Sequence, residues 1–191
     1  MKKIAIIAVV TVMMAGLAGS AFAANSLNAG SKALSIGFGD SVLNHVASPT
    51  DQNQNNPIVD ISGRIFAAKD LAITAGLGFQ MNSGDLEGTY LSFNFGIRKY
   101  FKTDDFAPFV GAQLSYITYD AELPPAQGGE YVDFSAIEVA GLVGAEYFLG
   151  KQFSIEGSIG LAIGKAEDDF NNHDTTYIGT KNLGVRANFY F

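Results

Sequence analysis

Five charged residues stand at similar short distances from predicted turns or from the C-terminus: Arg64, Arg98, Glu146, Glu156 and Arg186. Each lies on the polar side of a segment in which apolar and polar residues alternate. A lone charge is costly to bury, so charges that share one interior should pair. We therefore expect a lumen charge cluster, which is either a structural plug that specifies strand register or a switchable ion path.

Few other residues could take part in catalysis or form covalent cross-links. The chain has no cysteine, which excludes thiolate sites, disulfides and a lipoprotein anchor. Its histidines, His45 and His173, both fall in predicted loops, with Ser41 and Ser48 near the first and Asp174 beside the second. Nothing in the sequence fixes their geometry, so we expect no catalytic residues and no cofactor. A lipid-modifying enzyme is the distant alternative.

Acidic residues dominate the predicted long loops. The densest group is Glu167-Asp168-Asp169 with Asp174. Carboxylates can bind Ca²⁺ or Mg²⁺, but the spaced loop and glycine of a calcium motif are missing, so we expect a solvated surface and no metal site. Weak divalent binding and attraction of a basic ligand are the alternatives. The acidic residues on this side are Asp40, Asp51, Asp85, Glu87, Asp120, Glu122, Glu130, Asp133, Glu167, Asp168, Asp169 and Asp174.

The elements that carry these residues show a period of two, which predicts β-strands. In the last ten residues, Leu183, Val185, Ala187, Phe189 and Phe191 alternate with polar residues or glycine. Similar segments complete a count of eight strands: 31–38, 58–66, 71–81, 89–101, 106–119, 131–148 and 153–164. The sixth segment alternates less cleanly, since Leu142 falls among inward positions. A polar stretch from residue 165 to about residue 176 is predicted as a loop.

The N-terminus and the connections indicate a membrane barrel. Residues 1–23 have the basic start, short apolar run and Ala21-Phe22-Ala23 cleavage site of a secretory signal peptide, leaving 24–191 as one domain. No other apolar run approaches about 18 residues, which excludes a helical membrane protein. Long and short connections alternate, as in barrels whose apolar face meets lipid. The sequence therefore predicts an all-β, eight-stranded antiparallel transmembrane β-barrel rather than a soluble, lipid-carrying barrel with the opposite orientation.

The net charge of the chain bears on which partners it can bind. Without Lys2 and Lys3, 10 of the 12 basic residues remain against 19 acidic ones, a net charge of −9. Nucleic acids are recognised through basic surfaces, so no nucleic-acid partner is expected.

Four pieces of the chain match motifs of a known family: Gly96-Ile97-Arg98-Lys99-Tyr100-Phe101, Pro108-Phe109-Val110-Gly111-Ala112-Gln113-Leu114-Ser115-Tyr116, Gly144-Ala145-Glu146-Tyr147-Phe148 and the terminal Phe191. With these pieces the chain resembles the small eight-stranded outer-membrane β-barrel family of Gram-negative bacteria, which includes the OmpA transmembrane domain, OmpX/Ail and opacity-type proteins. In this chain Lys99 stands where such strands often carry an aromatic residue, and Gln113 where they often carry glycine.

The resemblance implies a bacterial outer-membrane location, with both termini in the periplasm. Outer-membrane lipid and lipopolysaccharide would surround the barrel. The assembly machinery would read the C-terminal signal Phe189, Tyr190 and Phe191. The implied function is non-enzymatic: a structural or surface-interaction role in adhesion or envelope integrity. A narrow porin-like channel for small solutes or ions is the alternative.

Overall fold

The computed structural model describes residues 27–39, 58–82, 87–122, 131–168 and 173–191. These residues form eight strands, and the predicted signal peptide lies outside them. No helix in this part of the chain is long and apolar enough to cross a membrane. The strands are β1 (Lys32–Gly39), β2 (Ile58–Ala68), β3 (Leu71–Asn82), β4 (Glu87–Tyr100), β5 (Phe106–Glu122), β6 (Tyr131–Gly150), β7 (Phe153–Asp168) and β8 (His173–Tyr190).

Each strand pairs antiparallel with the next, and β8 pairs with β1 to close the barrel. The closing ladder runs from Ala33 opposite Tyr190 to Phe38 opposite Val185. Beyond it, the Phe191 N–H donates to the Lys32 carbonyl at 3.0 Å. Closure satisfies strand edges that would otherwise be free to pair with other chains. The predicted eight-stranded antiparallel barrel is confirmed.

The two ends of the barrel differ. The turn end carries both described termini, Leu27 and Phe191, and the short connections 69–70, 101–105 and 151–152. Its backbone is cross-linked by hydrogen bonds, such as that from the Tyr100 N–H to the Asp70 carbonyl at 2.7 Å. The other end, which we call the loop end, meets connections that lie outside the described residues: 40–57, 83–86, 123–130 and 169–172.

Several strands run further toward the loop end than predicted. β7 continues to Asp168 and β8 begins at His173, so most of the loop predicted from residue 165 to about residue 176 is strand. Lys165 and Glu167 are exposed, so the outward face is polar there. Where the outward face is polar, the alternation of apolar and polar residues disappears although the backbone stays extended.

The pleat of the strands places successive side chains alternately on the outer and inner faces of the barrel. Large apolar side chains are exposed on the outer face of every strand, among them Ile36, Phe95, Val139 and Leu161. Lys99 is an exception: it lies at the turn end, where its ammonium contacts the Asp70 carboxylate at 2.5 Å. This hydrogen bond lowers the pKa of Asp70 below its usual value.

Two apolar clusters occupy the interior. Leu142 is only 4% exposed and packs in the cluster nearer the loop end, which explains why an apolar residue interrupts the polar inward face of β6. The turn-end plug consists of Leu27, Ala33, Phe66, Ala72, Tyr100, Ala107, Phe109 and Tyr190. The loop-end plug consists of Ile58, Tyr90, Ile117, Ala136, Ala140, Leu142, Ala162, Ala166 and Tyr177.

A bulge interrupts β8. Ser158 of β7 lies opposite Gly184, but the next residue, Ile159, lies opposite Asn182. Gly184 has a φ of 64°, a left-handed backbone conformation that glycine adopts readily and that is common at bulges. Counting back from the buried Arg186 by strict alternation would place Lys181 outside. The bulge reverses the alternation, and Lys181 is buried at 5% exposure.

We expect alanine at an inward glycine to destabilise the barrel, because the interior has no room for a methyl group there. A Cβ at Gly111 would lie 2.7 Å from the Ile97 carbonyl oxygen, a backbone atom. Gly111→Ala should therefore lower the free energy of unfolding by about 1–3 kcal/mol, measured by urea unfolding in lipid vesicles. The matched control is Gly141→Ala, where a Cβ meets nothing within 4 Å. Equal losses in both variants would contradict this account.

Candidate functional site

The five residues of the lumen charge cluster all lie inside the barrel near its turn end. Their side chains come from β2, β4, β6, β7 and β8, so strands distant in sequence contribute to one network. Relative exposures are 1% for Arg64, 2% for Arg98, 0% for Glu146, 1% for Glu156 and 5% for Arg186.

Glu146 accepts the largest set of hydrogen bonds. Arg64 Nη1 donates to its Oε2 at 2.8 Å, and the Tyr100 and Tyr190 hydroxyls donate to the carboxylate at 3.0 and 2.5 Å. Asn188 Nδ2 donates at 3.1 Å, and the Ser154 hydroxyl donates to the same oxygen. These five donors satisfy the hydrogen-bonding capacity of the buried carboxylate.

Glu156 is shared by arginines. Arg64 Nη2 and Arg98 Nη1 contact its Oε2 at 2.6 and 2.5 Å, and Arg186 Nη1 lies 3.8 Å from its Oε1. Arg64 therefore bridges the two glutamates, since its other terminal nitrogen binds Glu146. The planar guanidinium, with several fixed donors, can join two carboxylates in this way.

Two further contacts connect the network to an aromatic ring and to another carboxylate. The Arg98 guanidinium carbon lies 4.7 Å from the centroid of the Phe109 ring, a cation–π geometry that connects the network to the turn-end plug. Arg186 Nη2 contacts Asp60 Oδ1 at 2.9 Å. Asp60 was absent from the predicted cluster, although it occupies an inward position of β2 four residues before Arg64.

A second ion pair, which the sequence did not reveal, lies nearer the loop end. Lys181 donates hydrogen bonds to Glu138 and, at 2.9 Å, to the Ser115 hydroxyl. The Tyr177 hydroxyl donates to Glu138 at 3.2 Å. Lys181 was missed because the bulge reverses its side. The available signal was its charge, since a lysine on an apolar outer face would be unfavourable.

Neutral polar side chains connect the two charged groups. Gln113 Nε2 donates to Asn94 Oδ1 at 3.0 Å and to Ser115 Oγ at 3.1 Å. Asn94 Nδ2 in turn lies 3.4 Å from Asp60 Oδ2. Polar contacts therefore run from Tyr190 near the turn end to Tyr177 near the loop end.

The buried charges balance in sign. In the part of the chain that the structure describes, the buried cations Arg64, Arg98, Lys181 and Arg186 match the buried anions Asp60, Glu138, Glu146 and Glu156. Every one of these side chains contacts at least one of opposite charge. A balanced, paired set stabilises one arrangement of strands and offers no net charge to select a permeating ion.

The predicted acidic surface lies partly on strands rather than in loops. Asp120, Asp133, Glu167 and Asp174 belong to β5–β8 near the loop end. Lys165 Nζ contacts Glu167 at 3.1 Å and Asp174 at 2.7 Å, so a cation already occupies the space between these carboxylates. Among the described residues, no group of three or more His, Cys, Asp or Glu side chains could hold a metal ion.

Of the candidate catalytic residues, His45, Ser41 and Ser48 lie outside the described residues. His173 is the first residue of β8, and its neighbour Asp174 binds Lys165.

The predicted assembly signal divides between the two faces of β8. Phe189 is exposed outside and its ring centroid lies 5.0 Å from that of Phe153. Tyr190 is buried, where it belongs to the turn-end plug and donates to Glu146. The backbone of Phe191 pairs with Lys32. Its recognition by assembly machinery stays a prediction.

Comparison with known proteins agrees with this architecture. No protein-family model and no curated protein sequence matches the chain. The N-terminal β-barrel domain of Pseudomonas aeruginosa OprF superposes with a TM-score of 0.53 at 13% identity, covering 85% of this chain and 98% of that one. The outer membrane protein OprG of the same organism gives 0.52 at 12% identity, covering 88% and 99%. The chain has the fold of the small eight-stranded outer-membrane barrels.

We expect a substitution in the buried charge network to destabilise the barrel far more than a substitution in the exposed Lys99–Asp70 pair. Glu156→Gln leaves arginines without their shared counterion, so the free energy of unfolding should fall by about 3–5 kcal/mol. The control, Asp70→Asn, removes an exposed, solvent-screened pair and should change the free energy of unfolding little. Urea unfolding of both variants in the same vesicles compares them. An E156Q loss as small as that of D70N would show that the buried pairs do not hold the barrel.

Proposed function

We propose that the protein is an integral protein of the bacterial outer membrane with a structural or surface-interaction role and no catalysis. The observation that carries the proposal is the sorting of side chains in the closed barrel. Large apolar residues cover the outside, whereas balanced, paired charges fill the inside. The fold shared with OprG, described as an outer membrane protein, supports the location.

Energetics favour lipid around this barrel. A soluble protein rarely exposes contiguous apolar patches beyond a few hundred Å², whereas here Phe95, Val139 and Leu161 represent an outer face that is apolar on every strand. The same environment explains the interior position of Lys181, because a lysine facing lipid near the membrane centre costs about 2–4 kcal/mol. We further propose that the turn end and both termini face the periplasm, after removal of residues 1–23.

Strand lengths support a projecting outer rim. A transmembrane strand needs about 9–11 residues. β5, β6, β7 and β8 have 17, 20, 16 and 18 residues, so this half of the barrel would extend past the lipid. Its outward residues near the loop end are polar and include one cation among four carboxylates: Thr118, Asp120, Asp133, Ser135, Lys165, Glu167, Asp174 and Thr176. We propose that this rim meets lipopolysaccharide and external ligands, with basic ligands favoured by its acidic character.

Paired charges argue for a closed lumen. Freeing one member of a buried ion pair costs about 3–5 kcal/mol, and each 1.4 kcal/mol is a factor of about ten. A state in which Arg64 leaves Glu146 and Glu156 would thus be populated on the order of 1% or less. The plugs also place Phe66 and Phe109 on one side and Leu142 on the other side of the network.

The alternative is a narrow channel for small solutes or ions. The continuous polar contacts from Tyr190 through Asn94 and Gln113 to Tyr177 favour it. Conduction would require rearranged pairs and displaced plugs. Bilayer recordings separate the two functions.

We expect refolded protein to give no discrete conductance steps in planar bilayers, because both plugs and the ion pairs obstruct the lumen. Insertion must be verified in the same sample by protection of the transmembrane strands from protease. A control variant, Val139→Ala, alters only the outer face and should be equally silent. Steps in the wild type that change in Arg98→Ala or Glu146→Gln would replace the closed-barrel proposal with the channel.

We expect spin labels on one face of β7 to report the edge of the membrane. The chain has no cysteine, so single labels at Ile159→Cys and Glu167→Cys are unambiguous. Both residues are exposed, but Ile159 lies among apolar side chains and Glu167 on the polar rim. Dissolved oxygen should enhance the spin relaxation of the first label most, and a water-soluble nickel chelate should enhance that of the second most. A water-accessible label at residue 159 would overturn the membrane location.

A further inference from the structure

The bulge divides β8 into two segments with opposite alternation. In the lower segment, Arg186 lies opposite Glu156 of β7. In the upper segment, Lys181 lies opposite Gly160 and Thr180 opposite Leu161. Leu183, between the segments, has no counterpart on β7. The upper segment is therefore displaced by one residue from the register that an uninterrupted strand would have.

An uninterrupted β8 would still close the barrel. Continuing the lower register upward would place Lys181 opposite Leu161 and Thr180 opposite Ala162. Because successive side chains point to opposite faces, this shift would turn Lys181 outward and Thr180 inward. Backbone pairing with β7 would be retained and even gain a residue, so hydrogen bonding does not favour the bulged form.

Lys181 is the charged side chain of the upper segment that lies next to the bulge. Gly179 has no side chain and Thr180 tolerates either face. Ile178, which is 77% exposed outside, would turn inward, and Tyr177, which donates to Glu138, would turn outward, where its amphipathic ring suits a membrane interface. In the uninterrupted register, Lys181 would bring a charged ammonium group into the lipid, which is unfavourable. Its loss from the lumen would also leave Glu138, which is fully buried, without its cation.

We propose that the buried Lys181–Glu138 pair is a register lock, which selects the bulged register of β8 over the uninterrupted one. Gly184, whose φ is 64°, provides the backbone conformation that the selected register needs. The lock acts between the strand that closes the barrel and β6, and it goes beyond the proposed function by assigning a folding role to this pair. It rests on the lipid-facing orientation of the outer wall.

Two cysteine pairs that share Thr180→Cys read the register. With Leu161→Cys, the pair is cross-strand and on one face in the bulged register. With Ala162→Cys, the two residues are directly opposite only in the uninterrupted register. Directly opposed residues have the Cα separation that a disulfide requires, whereas residues on opposite faces do not bond. Oxidation in refolded vesicles, followed by electrophoresis, measures the yield of each disulfide.

In the otherwise unchanged chain we expect the 161–180 disulfide and almost none of the 162–180 disulfide. In the Lys181→Met, Glu138→Gln background, the 162–180 yield should rise about tenfold or more, because neither register then places a charge in lipid. Lys181→Arg is the charge-conserving control and should keep the original pattern. An unchanged pattern in the neutral background overturns the proposal.

A second measurement covers the case in which the neutral variant folds poorly. Gly184→Val disfavours the positive φ and should lower the folded fraction severalfold in the unchanged chain. Combined with Lys181→Met and Glu138→Gln, it should lower the folded fraction much less, since the uninterrupted register becomes available. Equal losses in both backgrounds refute the lock. A spin label at residue 159 that remains in lipid shows that such a failure leaves the proposed membrane location intact.

Discussion

Burial of charge inside a closed cylinder is the constraint on which the rest of this structure depends. The outer wall is apolar, so ionised side chains within the barrel must point to the axis. Once there, they lack water and must find partners of opposite sign. Arg64 satisfies this requirement for two carboxylates at once, and Lys181 satisfies it for Glu138.

Pairing of this kind specifies a structure more than it stabilises one. Desolvation of a buried ion pair offsets much of its attraction, yet separating its members is costly. The contacts of Arg64 and Arg98 with Glu156 join β2 and β4 to β7 across the lumen. Each contact requires the two strands that it joins to keep their register, because a slip of one residue moves a side chain to the other face.

Glycines at inward positions leave room in the lumen for these long charged side chains. Gly111 lies opposite Arg98, and a methyl group there would approach the Ile97 carbonyl oxygen too closely, so glycine leaves room beside the arginine. Aromatic and aliphatic side chains then close the space above and below. Leu142 belongs to the loop-end plug and Tyr100 to the turn-end plug, where its hydroxyl also donates to Glu146.

The sequence by itself determined the strands, their antiparallel order and which face of most strands is polar, because the pleat imposes a period of two on any sheet with unlike faces. Leu142 was assigned inward on this basis alone. The loop-end extensions of β7 and β8 were not predictable, since the outward face of both strands is polar there, as at Lys165 and Asp174. Tertiary structure alone decided which charges meet, as in Arg64 with Glu146, because partners across a lumen have no fixed spacing in the chain. It also decided the side of Lys181, because one bulged residue reverses an alternation that sequence analysis must assume to be continuous.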